Sequence, residues 1–150
     1  MLTTNDGNYY GDGLFDYIQN MNKKIERVAS ACQKRKFKLS KSKRYQALVH
    51  KLRATIDKSV NDAINRLVEN ELPSIIVAEN LDFRNASLSK QINKVLGNCG
   101  RKAVTAKLTA LQQELGIDFI EVNPAYTSQS CSKCGYVDKK NRNTRDKISV

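Results

Sequence analysis

Pro73-Ser74-Ile75-Ile76-Val77-Ala78-Glu79 is the stretch on which the fold turns. A proline cannot continue a helix, and the unbroken apolar run after it, closed by a carboxylate, predicts a short strand buried at the centre of a sheet. Upstream, Leu48, Leu52, Ile56, Val60, Ile64, Leu67 and Val68 recur at helical spacing and predict a long amphipathic helix that Pro73 ends. The same spacing joins Ile18, Met21, Ile25, Val28, Ala29 and Cys32 into an earlier helix, and a basic, serine-containing break over residues 36–43 separates the two. Downstream, Val104, Leu108, Leu111 and Leu115 predict a helix over 101–115. Gly116 caps it before the strand Phe119-Ile120-Glu121-Val122, which Asn123-Pro124 closes. At the chain's start, Asn5-Asp6-Gly7 between Met1-Leu2-Thr3-Thr4 and Tyr9-Tyr10 is a tight-turn signature and predicts a hairpin.

Forty per cent hydrophobic residues in 150 supply one core, which fits a single domain over residues 1–124 and an appendage over 125–150. The appendage is polar, rich in Ser, Lys and Asn, and poor in core-forming side chains, so it needs a metal to fold. The net charge of +11 is unevenly placed. Residues 23–66 hold 14 of the 26 Lys and Arg but only 3 of the 15 acids, so this stretch carries the whole imbalance. Lys34, Arg35, Lys36, Lys38, Lys41, Lys43 and Arg44 follow one another with almost no acid between them. Such a stretch favours a polyanion, most simply nucleic acid, through release of condensed counterions. The plainer reading is a solvated helical face. A membrane surface is disfavoured, since no long apolar span or lipidation signal accompanies the charge.

Met1 to Gly13 is polar and glycine-rich, without the basic start and apolar block of a secretory signal, which predicts an intracellular, cytoplasmic and nucleoid-associated protein with reduced thiols. Of four cysteines, only Cys131 and Cys134 have an informative spacing: two thiolates two residues apart, followed by Gly135, can share one tetrahedral zinc. Two ligands are half of a structural site, and residues 135–150 contain neither Cys nor His, so a second pair would come from outside these residues. A redox pair is the alternative, without the strand-to-helix setting such pairs occupy. Cys32 continues an apolar stripe, Cys99 has no partner at useful spacing, and His50 reads as a surface residue of the basic helix. Glu79, at a strand end, reads equally as a solvent-facing residue or a catalytic one.

The strings Ile76-Val77-Ala78-Glu79-Asn80-Leu81, Val122-Asn123-Pro124-Ala125-Tyr126-Thr127-Ser128-Gln129-Ser130-Cys131-Ser132-Lys133-Cys134-Gly135 and Asn141-Arg142 closely resemble the C-terminal half of the TnpB (OrfB-type) proteins of bacterial insertion sequences. These are transposase-associated, RNA-guided DNA endonucleases related to type V CRISPR effectors. The resemblance implies an α/β fold of the RNase H-like (RuvC) type, incomplete here, with half of a C-terminal zinc ribbon. It implies DNA and a guide RNA as partners. It places Glu79 as the second of three acids that hold two magnesium ions, and such ions, roughly 4 Å apart, activate water and stabilise the leaving oxygen of a phosphodiester.

The first and third acids of the family pattern would fall before Met1 and after Val150. Asp6 sits in a turn signature and Asp146 in a polar tail, so neither is a good substitute. The resemblance thus leads to the expectation of a fragment, a decayed reading frame or one segment of an interrupted gene, inactive alone. The alternative is a nuclease-dead nucleic-acid-binding protein that regulates or competes with a full-length copy. Self-association through an exposed sheet edge or a shared zinc is expected in either case.

Overall fold

The computed structural model describes residues 2–4, 7–79, 82–123, 134, 136–137, 142–144 and 147–148. The expected turn at Asn5-Asp6, together with Cys131 and Asp146, lies outside them. The architecture is mixed α/β with small sheets, and it divides into two compact units. One comprises residues 1–76 and 82–119, the other residues 77–81 and 120–150. The division passes through two strands, between residues 76 and 77 and between 119 and 120.

Three long helices make the first unit. Helix α1, Leu14–Lys34, starts earlier and ends later than its apolar stripe, and α2, Lys43–Glu71, has its N-cap at Ser42, whose Oγ accepts the Tyr45 N–H at 3.3 Å. Helix α3, Lys90–Leu115, begins eleven residues before the predicted start, where Ser89 Oγ accepts the Ile92 N–H at 3.4 Å. Ile18, Met21 and Ile25 of α1 meet Leu52 and Ile56 of α2 and Ile92, Val95 and Leu96 of α3. Ile25, Leu52 and Ile92 are fully buried, each stabilising the fold by about 1.5–3 kcal/mol. Farther along, Ile64 packs with Leu108 and Leu111, flanked by Ile76 and Phe119. Asn22, a buried polar residue of α1, accepts the Ser89 N–H at 3.1 Å and so ties the start of α3 to α1.

Strands β1, Leu2–Thr3, and β2, Tyr9–Tyr10, form the expected antiparallel hairpin, pairing Leu2 with Tyr10. Tyr10 Oη donates to Glu71 at 2.9 Å and Asn8 donates to the same carboxylate, which fastens the hairpin to the end of α2. Helix α2 ends as Pro73 requires: Leu72 turns left-handed at φ 45° and its N–H reaches Val68 O at 3.0 Å. Gly116 caps α3 as expected, at φ 67°.

Strands β3, Ile75–Glu79, and β4, Asp118–Val122, form a two-stranded sheet. The Asp118 N–H donates to Ser74 O at 3.0 Å, at the beginning of both, so the strands run in the same direction with α3 as the crossover. The expectation of a strand buried on both faces is corrected here. Ile76 packs into the helical core, whereas Ile75 is 52% and Val77 59% exposed. Alternate residues of a strand face opposite ways, and among the described residues the helices cover only one face. In the second unit, β5, Arg142–Thr144, and β6, Lys147–Ile148, pair antiparallel, Arg142 with Ile148.

Candidate nucleic-acid interface and metal ligands

The basic run is arranged by the way α1 stops. The Lys36 N–H bonds to Gln33 O at 3.0 Å and the Phe37 N–H to Cys32 O at 2.9 Å, the paired bonds of a Schellman ending. Its left-handed position is Lys36, at φ 52°, where glycine is the usual occupant. A single 3-10 turn, Leu39–Lys41, then leads to Ser42 and α2. Lys43 and Arg44 stand in the first turn of α2, where the helix dipole favours anions. Two cations there work against helix stability, the kind of local conflict that marks sites kept for binding.

Between the end of α1 and the start of α2 lies an open cleft of about 710 Å³. Lys24, Arg27, Arg35 and Arg44 line it, and among the described residues no carboxylate does. Of the seven basic residues singled out in the sequence, the structure therefore brings Arg35 and Arg44 to this cleft. Lys34 lines a smaller neighbouring depression with Glu26 and Arg27, and Lys36, Lys38, Lys41 and Lys43 are exposed around them. Lys24 and Arg27 were missed among the candidates. The missed signal is helical register: Lys24, Val28, Ala31 and Arg35 share one face of α1.

A second open cleft, of about 660 Å³, lies where the Asp82–Ser89 loop crosses α3. Arg84, Lys90, Lys94 and Arg101 line it together with Asp82. Arg84 Nε donates to both Asp82 carboxylate oxygens, at 2.9 and 2.8 Å, and holds that carboxyl at about 2. Gly100 lets the loop lie close: a Cβ there would stand 3.1 Å from the Phe83 ring. These cations are scattered over 18 positions in sequence and carry no run that a reader of letters would notice.

Glu79 is exposed at the last position of β3, on the face that Ile75 and Val77 also occupy. Cys134 is exposed with a free thiol. Among the described residues no three His, Cys, Asp or Glu side chains gather in one cluster. His50 is exposed and Cys32 is buried, as expected. Cys99 is half-buried with its Sγ on Val95 O at 2.8 Å, and burial raises its thiol pKa. Among the described residues, no helix is long and apolar enough to cross a membrane.

Residues 102–148, which carry the second half of α3, β4 and both candidate zinc ligands, match the family described as Cas12f1-like, TNB domain. Over 53 residues the chain is 40% identical to the CRISPR-associated endodeoxyribonuclease Cas12f1 of Syntrophomonas palmitatica. The family match lies in the chain's C-terminal third. The aligned part is 35% of this chain and spans 11% of that relative's length. No solved structure matches the chain. Cys131 and Cys134 fall inside the Cas12f1-like segment, whereas Glu79 and the basic helices precede it.

Proposed function

We propose that these residues form the nucleic-acid-binding and partial catalytic region of an RNA-guided DNA endonuclease of the TnpB and Cas12f type. The observation that carries this reading is the α1–α2 cleft, lined by four cations and no acid, in a chain whose C-terminal third is Cas12f1-like. In this reading β3 and β4 belong to an RNase H-like sheet with α3 as their crossover, and Glu79 would be one of the carboxylates holding a pair of magnesium ions, which would supply Lewis-acid activation of a phosphodiester and of water. Cys131 and Cys134 offer two thiolates to a structural zinc. Arg35, Arg44, Lys24 and Arg27 hold phosphates of a guide RNA or of target DNA.

Fluorescence anisotropy on labelled DNA and RNA tests the binding half. The 150-residue chain is expected to bind both, and Arg35→Glu with Arg44→Glu to weaken binding at least ~10-fold. Binding unchanged in that variant removes the cleft from the account. A magnesium-dependent cleavage assay with and without guide RNA, beside Glu79→Ala, tests the catalytic half. Retained binding without cleavage favours a regulator or competitor of a complete copy. Cleavage lost in Glu79→Ala places Glu79 among the metal ligands.

A further inference from the structure

The α1–α2 cleft is lined by carbon as well as charge: Val28, Ala31, Cys32 and Leu48 line it together with its four cations. At its edge stands Phe37, 47% exposed. Backbone geometry helps hold it there, because the left-handed Lys36 and the Phe37 N–H bond to Cys32 O fix the chain leading into the ring's attachment. An apolar residue at this position of a Schellman ending ordinarily packs back on the last helical turn, a task that any aliphatic side chain performs. That task accounts for neither an aromatic left half in water nor the cations gathered around it without an acid among them.

A flat ring beside guanidinium groups suits one kind of polyanion. A duplex turns its base faces inward and shows phosphates, while a single strand shows both base faces and phosphates. The volume of about 710 Å³ lies within the roughly 300–1,000 Å³ of ligand-sized sites. We infer that the cleft binds single-stranded nucleic acid, with an unpaired base stacked on Phe37 and the adjoining phosphates held by Arg35, Arg44, Lys24 and Arg27. The inference rests on the nucleic-acid reading above and adds to it the form of the strand and the residue that senses it. Stacking accepts any base, so the site takes a single strand with little regard to sequence.

The chain contains no tryptophan, so Phe37→Trp places a single reporter in the cleft. In the full chain, its fluorescence is expected to be quenched by an oligothymidylate of about ten nucleotides and by the matching oligouridylate. The same strand made abasic, and a blunt duplex, should leave it unchanged. The relative affinities of the deoxy and ribo strands identify which the site takes. Phe37→Leu keeps an aliphatic contact on the helix end and removes the π face. It is expected to melt with the unaltered chain, to bind single strands roughly ten-fold more weakly, and to bind duplex unchanged.

Equal quenching by the abasic strand, or single-strand affinity unaffected by Phe37→Leu, overturns the stacking. If affinity then still falls in the Arg35→Glu, Arg44→Glu variant, the nucleic-acid reading survives without it. If no form binds any nucleic acid, both fall together.

Discussion

Asp82 and Arg84 show how much a single pair can do at the surface. The guanidinium hydrogen bonds on the Asp82 carboxylate come first among the causes that hold its pKa at about 2 against an ordinary 3.8, followed by the Arg84 backbone N–H at 3.0 Å. The folded state favours the ionised carboxyl, so whatever support the pair gives is present above pH about 4 and is lost as pH falls towards about 2. Both side chains are well exposed, at 64% and 48%, so that support is small. An NMR titration of the Asp82 carboxyl is expected to show a midpoint near 2, moving towards 3.8 in Arg84→Ala. A midpoint already near 3.8 in the unaltered chain would show that the pair does not form in solution. Nothing in the letters announces this pair, because two residues two apart in a loop carry no periodic signature. Lys36 and Leu72 were equally illegible: both turn left-handed where glycine is usual.

Helix α3 shows where reading by periodicity stops. Its second half was legible because Val104, Leu108 and Leu111 stand three and four apart and point into the core. Its first half has the same pattern in Ile92, Val95, Leu96 and Cys99, but Gly97, Asn98 and Gly100 interrupt it with residues that usually end helices. Gly100 admits the loop that bears Phe83, a reason visible only in three dimensions. Strand β3 failed differently. Its run of apolar residues was correctly read as extended, but the number of covered faces depends on neighbours that a local run does not name.

Gly97 turns that difference into a measurement. A Cβ there meets only Arg84 side-chain carbons at 3.6 and 3.7 Å, ordinary contact. Gly97→Ala should therefore gain about 0.5–1 kcal/mol from helix propensity and unfolded-state entropy. Thermal melts should show a midpoint roughly 2–3 °C higher. At Gly100 the added methyl would press the Phe83 ring at 3.1 Å, so Gly100→Ala should gain less. A lower midpoint for Gly97→Ala would mean that the loop sits closer to α3 than the structure places it.

On the scale of the molecule, the +11 charge was legible from the sequence and its use was not. The consecutive run drew attention to the cations from Lys34 through Arg44, yet only two of those cations line the α1–α2 cleft; helix packing brings Lys24 and Arg27 there from a turn or more away. A diffuse cationic face and an organised cleft respond differently to salt. Each phosphate neutralised on a single strand contributes about −0.7 to the slope of log affinity against log salt concentration. Four contacts from Lys24, Arg27, Arg35 and Arg44 give a slope of about −3, a loss of about 50-fold between ~50 and ~200 mM salt. Neutralising two of them, with Arg35→Gln and Arg44→Gln, should flatten the slope by about 1.4. The same double neutralisation at Lys38 and Lys41, exposed but outside the cleft, should change it much less. If both pairs flatten the slope equally, the charge acts as a featureless cloud and the cleft loses its special part in binding. If only the cleft pair does, the way α1 ends and α2 begins is what organises this chain's charge for its polyanion.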